Sequence, residues 1–216
     1  AYWTSSAVAK CFDTFGSYSQ SITACAGLNT SDNDRFVRFW YECDHRTIGF
    51  DCSSQDELVQ HGYRYALFNK GGGFRKWYGN QSYILKFDKE NADILSTIGN
   101  HLPSRQYYFH KCITWNRISS AEAFSARLCG YGFAFDDVSP SAFCDDKERL
   151  YCIGLMNTIV FKTLLCVMNR GMKTETGNVQ KVPYAIVSAI RTQVETLANS
   201  CIDLCRIDWD SFETSW

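Results

Sequence analysis

The longest apolar run is Leu150 to Met168, where Leu150, Ile153, Met156 and Asn157, then Val160, Phe161 and Leu164, recur at helical spacing. The pattern predicts one helical segment there, with Gly154 permitting close packing. A second helix is predicted from about Tyr184 to Arg206. Ile186, Ile190, Val194, Leu197, Cys201 and Leu204 fall at steps of four, four, three, four and three, a narrow seam suited to helix–helix packing. Elsewhere the pattern shortens. Phe36 to Glu42 and Ser82 to Phe87 alternate as strands, and Val179 to Val182 reads as a strand stopped by Pro183. Short strand-like pieces fill 107–118 and 124–143, punctuated by Gly130, Gly132 and Ser139-Pro140. Residues 55–66 read as a short helix capped by Ser54, and Asp88 to His101 as another. These elements predict an α+β fold: mixed, mainly antiparallel β with packed helices and a long C-terminal helix. The expected division is a domain over 1–183, a spacer-like helix over 184–206 and the start of a further segment over 207–216.

Composition narrows the class. The 216 residues are 45% hydrophobic and 21% charged, enough for one domain with a sizeable core. No apolar run reaches 18 residues, so no membrane span is expected, and the first residues lack the basic-then-apolar pattern of a signal peptide. With no initiating Met, and with the aromatic, acidic Asp208 to Trp216 at its end, the chain reads as an excerpt from a larger cytoplasmic protein.

The net charge of −1 argues against a domain that holds nucleic acid by bulk electrostatics alone. Local charge is polarised, however. Lys70, Arg75, Lys76 and Lys86 form an acid-free stretch, and Lys162, Arg170, Lys173 and Lys181 are opposed by Glu175 alone. The eleven cysteines are odd in number, irregularly spaced and form no CxxC pair, which fits reduced, small apolar residues better than a zinc knuckle or a disulfide framework.

Three stretches carry side chains suited to DNA. Asn29, Thr30, Asn33 and Arg35 lie in a polar loop, although the same residue types also build turns. Lys70, Arg75, Lys76, Trp77, Tyr78 and Asn80 follow a triple glycine that lets backbone approach a ligand, with cations for phosphates and rings for stacking; aromatics tucked into a core are the alternative. Thr114, Asn116, Arg117 and Ser119 surround Trp115, and Arg170 and Lys173 occupy a later polar turn. His110 near Cys112 raises a thiol–imidazole nucleophile, but no orienting acid or amide lies nearby. The chain has no Asn-Pro-Pro-[Tyr/Phe], P-loop, HExxH, GxSxG or EF-hand pattern, so no catalytic residue and no cofactor or metal ligand is assigned.

Taken in order, these segments resemble the specificity region of large bacterial N6-adenine DNA methyltransferases, the PglX-type enzymes of BREX phage defence and their type IIG restriction-modification relatives. The resemblance is carried by Gly27 to Phe36, Arg38 to Glu42, Asn69 to Asn80, Tyr108 to Trp115, Ile118 to Ser120, Gly132 to Asp136, Leu155 to Asn157, Gly177 to Pro183 and Asp208 to Trp216, nearly the whole chain. Ser31 stands where the family pattern is expected to have glycine. The resemblance implies a target-recognition domain that binds double-stranded DNA. It also implies an upstream domain of the same parent, carrying Asn-Pro-Pro-Tyr and S-adenosylmethionine. Two other readings remain: a module docking other subunits of a defence complex, and a secreted, disulfide-stapled binding domain suggested by sequons at Asn29 and Asn80.

Overall fold

A computed structural model describes residues 4–120, 122–213 and 215. Helix α1 (Ser6–Thr14), capped by Ser5, leads into β1 (Gly16–Ser17), which pairs antiparallel with β11 (Pro183–Tyr184). Two larger sheets dominate. One is antiparallel, in the order β2 (Thr23–Cys25), β10 (Ser141–Phe143), β7 (Cys112–Trp115) and β8 (Ala126–Cys129). The other joins β3 (Val37–Phe39), β6 (Tyr83–Lys86) and β5 (Tyr65–Asn69). The far edge of β5 takes β4 (Ile48–Gly49) and then β9 (Phe133–Phe135), both in parallel. The fold is α+β.

The alternation of strand side chains sets the layers. Ile113, Trp115, Ala126 and Ala142 turn one face of the antiparallel sheet toward α5 (Asp146–Met156), α6 (Ile159–Met168) and α7 (Thr176–Gln180), in a core with Phe124, Ile153, Phe161 and Val179. Cys112 and Cys129 face the other way, against Leu67, Ile84 and Phe133 of the second sheet. Ala66, Phe68 and Leu85, on the far side of that second sheet, pack with Phe36 of α2 (Asn33–Phe36), Leu58 of α3 (Gln55–Gln60), and Ala92 and Leu95 of α4 (Lys89–Thr97). Helices therefore cover both outer faces of two stacked sheets. All eleven cysteines are free, four of them buried.

Several sequence expectations need correction. The run 150–168 is two helices bent by 77°, because Asn157 leaves the helix to bond both main-chain groups of Ala126 at 3.0 Å, and Thr158 caps α6. No single helix among the described residues is long and apolar enough to cross a membrane. The strand expected at 179–182 is the end of α7 and a turn; Val179 is buried by a helical face. Strand β5 was hidden because the helix reading ran to residue 66 and into it.

The last helix, α8 (Arg191–Asp210), starts later and ends later than its seam implies. It buries Ala198 and Ile202 in the core beside α5, and Gly154 admits Val194, whose Cγ1 would lie 2.9 Å from an added Cβ. Ile190, Leu197 and Leu204 of the predicted seam instead face solvent, Leu197 and Leu204 at 59% and 67% exposure. Of the aromatic tail, Trp209 is buried and Phe212 is exposed; Trp216 lies outside the described residues.

Candidate nucleic-acid interface

Loops from both sheets meet at the end where β7 runs out and β8 begins. Leu28 fixes the first loop by pairing with the β9 end: its N–H donates to Phe135 O at 2.9 Å, and Asp137 N–H donates to Leu28 O at 2.9 Å. Ser31 takes φ +55°, with its N–H donating to Asn29 Oδ1 at 2.8 Å. That left-handed turn explains why a glycine suits the position. Asp32 caps α2, and Thr30 Oγ donates to Asn33 Oδ1 at 2.7 Å. Lys70 then ties two loops together, reaching Asn33 Oδ1 at 3.0 Å and the buried Asp136 carboxylate at 2.8 Å.

The glycine turn is held from below. Asn116 Nδ2 donates to Gly72 O at 2.8 Å, and its Oδ1 accepts from Arg127 Nη2 at 3.0 Å. Arg127 is fully buried; desolvation pulls its guanidinium down to about 10, and Nε and Nη1 have no hydrogen-bond partner among the described residues. It remains charged at neutral pH, a costly placement with no acid beside it. Nothing in the sequence marked this residue beyond a lone cation in an apolar strand. Gly71 passes so close to Ser139 Oγ that an added Cβ would lie 2.7 Å away.

Arg117 clamps the remaining loops. Its Nε is shared between the two carboxylate oxygens of Glu175 at 2.9 and 3.1 Å, and its Nη1 lies 3.6 Å from Asp137. Thr174 N–H donates to Arg117 O at 2.7 Å, Thr174 Oγ donates to Ser119 O at 3.1 Å, and Trp115 Nε1 donates to Thr174 O at 3.0 Å. Ser119 Oγ donates to Asn116 O. The turn carrying Arg170 and Lys173, both exposed, is thereby fastened to the core.

The structure brings Asn29, Thr30, Asn33, Lys70, Asn116, Arg117, Ser119, Arg170 and Lys173 to this end of the molecule, with Asn29, Asn33, Arg170 and Lys173 exposed and Thr30 buried; Arg35, also exposed, lies over the Phe36 ring with its charge felt at Lys86. It turns the others elsewhere. Thr114 is buried, accepting from Asn69 Nδ2 at 2.7 Å. Arg75 bonds Asp208 at 2.8 Å and stacks 5.0 Å over Trp209; Lys76 donates to Asn157 O; Arg206 lies over Tyr78. The Trp77 main chain adds to β8, through bonds with Ala126 and Leu128. Asn80 closes its own loop onto Gly73 O. The sequence reading missed the apolar part of the face: Phe74, Ile118 and Met172 are 61%, 64% and 76% exposed. Such rings and chains suit deoxyribose, thymine methyls or base faces.

His110 and Cys112 do not pair: His110 Nδ1 contacts Tyr108 O at 2.9 Å, and Cys112 is buried beside Cys129. Among the described residues no cluster of three His, Cys, Asp or Glu could hold a metal.

Asp137 gives the face a pH dependence. Burial, with the neighbouring Asp136 carboxylate, pushes its carboxyl from 3.8 up to about 6, against the pull of Arg117 and Asn29. The native state then binds more protons than the unfolded chain between about pH 4 and 6, so stability from this group falls as pH rises through that window. Asp137→Asn is expected to raise the thermal midpoint relative to the unaltered chain at pH 7.5, with the advantage shrinking toward pH 4. Melting curves across that range check it, and a pH-independent difference contradicts it.

The chain is homologous to a segment of adenine-specific methyltransferases. Over its whole length it is 32% identical to the adenine-specific methyltransferase PglX of Lacticaseibacillus casei (strain Zhang), and 28% identical to the adenine-specific methyltransferase BrxX of Escherichia coli O9:H4 (strain HS). It spans only 18% and 17% of those proteins. The chain matches no family profile.

Proposed function

We propose that this chain is the DNA target-recognition segment of a site-specific N6-adenine DNA methyltransferase of the BREX or type IIG kind. The observation carrying this reading is full-length homology to a segment of adenine methyltransferases in a sequence without any methyltransferase motif. Methyl transfer to adenine N6 requires the base to be flipped out of the duplex. A separate surface must grip the flanking duplex, and the braced loop face suits that task. Asn29, Asn33, Arg170 and Lys173 offer donors and charge to base edges and phosphates, and Phe74, Ile118 and Met172 add apolar contact. S-adenosylmethionine and the catalytic groups belong to another part of the parent chain. Arg75, Tyr78 and Trp209 hold α8 against the domain and lie away from the loop face.

Many of the face's cations are internally paired, so binding relies on the parent's second grip, and the isolated segment binds DNA weakly at physiological salt. In a full-length enzyme containing this segment, Arg170→Ala with Lys173→Ala is expected to lower the slope of log affinity against log salt by about 2. Titration of DNA binding against salt measures this; an unchanged slope and affinity would remove these two residues from the interface.

The exposed stripe Ile190, Leu197, Leu204 and Ile207 favours a docking role for α8, and the occupant we assign is the rest of the parent chain. Leu197→Glu with Leu204→Glu should leave the melting of the 216-residue chain within about 0.5 kcal/mol per site. In the full-length enzyme the same pair should loosen the segment, read as faster limited proteolysis. Equal proteolysis would place the stripe in solvent. Retained proteolytic protection of the parent, together with capture of other defence subunits by α8, would favour the interaction-module reading.

A further inference from the structure

At the opposite end of β7 and β8 from the loop face, a cavity of about 410 Å³ opens between the two sheets and α8, within the range of small-ligand sites. Lys111 and Tyr131 stand at its mouth, the ammonium 4.7 Å from the ring centre, and Arg206 lies 5.1 Å over the Tyr78 ring on another wall. Arg149 also lines it, with a buried Nε that has no hydrogen-bond partner among the described residues and Nη2 directed to Asp146 and Cys144 O. The lining thus sets Lys111, Arg149 and Arg206 against Asp146 alone. Gln81, on another part of the wall, is buried, yet its amide makes no hydrogen bond to a described residue. That amide can offer a ligand edge one donor and one acceptor.

The geometry points to a nucleoside phosphate site: a base enters beside Tyr78, its hydrogen-bonding edge meets Gln81, and its phosphate meets Lys111, Arg149 and Arg206. Aromatic faces accept any base, an amide can make a bidentate contact with a base edge, and guanidinium and ammonium groups neutralise phosphate. The site is independent of the DNA-reading assignment, because it lies away from the loop face and shares none of its residues. The ligand could be a free nucleotide or a nucleotide of a DNA strand, and the chemistry is common to both.

Calorimetric titration of the 216-residue chain with adenosine and guanosine 5′-monophosphates, adenosine, ribose 5-phosphate and a short single-stranded oligodeoxynucleotide tests this. A monophosphate is expected to bind saturably, with its parent nucleoside or ribose 5-phosphate about tenfold weaker. Gln81→Met, which keeps the volume and removes the amide, and Lys111→Glu, at the cavity mouth, should each weaken binding about tenfold. Displacement of the nucleotide by the oligodeoxynucleotide assigns the site to a DNA strand; nucleotide binding without displacement assigns it to the free ligand. Absence of saturable binding by any nucleotide or DNA probe overturns the proposal. So does binding that neither variant weakens.

Discussion

Gly99→Ala is expected to lower the thermal midpoint of the chain by roughly 6–12 °C, corresponding to about 3 kcal/mol in a chain of this size. Two penalties combine. Gly99 holds φ +59°, where a side chain costs about 1 kcal/mol or more, and an added Cβ would sit 2.0 Å from Asn29 O. The second contact is with backbone, so relief means moving the Asn29 loop itself. That loop is also fastened by Asn100, whose Oδ1 accepts from Asn29 N–H at 2.8 Å and whose Nδ2 donates to Gly27 O at 2.9 Å. Gly62 provides the control: its φ is +72°, but nothing lies within 4 Å of an added Cβ. Gly62→Ala should therefore cost only about 1 kcal/mol. Equal losses for the two variants, measured by calorimetry, would mean that the close approach beneath Asn29 is not rigid.

Trp115→Ala is expected to cost about 3–5 kcal/mol, the largest single effect predicted for this chain. The indole is fully buried and packs with Phe124 at 6.1 Å between ring centres. Its Nε1 also supports Thr174 O, so the same side chain links the core to the turn bearing Arg170 and Lys173. Trp115→Phe separates the two roles: it keeps much of the apolar volume and removes the donor. It should cost about 1–3 kcal/mol and increase amide exchange across 169–175 more than across α5. Uniformly unchanged exchange in that turn would detach the site from the core.

How far the sequence foretold this arrangement depended on whether local signals agreed with tertiary ones. Ser54 and Asp88 followed by helical patterns gave α3 and α4, because capping is decided within four residues. The run 150–168 is helical throughout except at Asn157 and Thr158. Asn157 breaks it for a bond to β8, a partner 31 residues away that periodicity cannot show. On α8, apolar residues occupy more than one face. The regular seam was visible, but Gly154 on α5 selects the stripe containing Val194 and Ala198, leaving Leu197 and Leu204 outside.

The candidate surface was legible in its loops and less so in its charges. Asn29, Asn33, Lys70, Asn116 and Arg117 do converge, yet Lys70 and Arg117 are spent on Asp136 and Glu175, partners distant in sequence. Arg75 and Lys76 formed the most basic part of the glycine-rich stretch, and tertiary contacts turn them inward to α8 and α5. Counting cations along a chain cannot separate a phosphate contact from an internal clamp. Phe74, Ile118 and Met172 are residue types that usually lie inside a fold, and their exposure emerges only when the loops are assembled.

The central claim, that this segment selects the DNA site, is tested most directly by exchange. The segment of a full-length adenine methyltransferase corresponding to this chain would be replaced by residues 1–216, and methylated adenines would be mapped across a genome by single-molecule sequencing. The account predicts that the methylated motif changes to follow the inserted segment. Active enzyme that still methylates the recipient's original motif would contradict it.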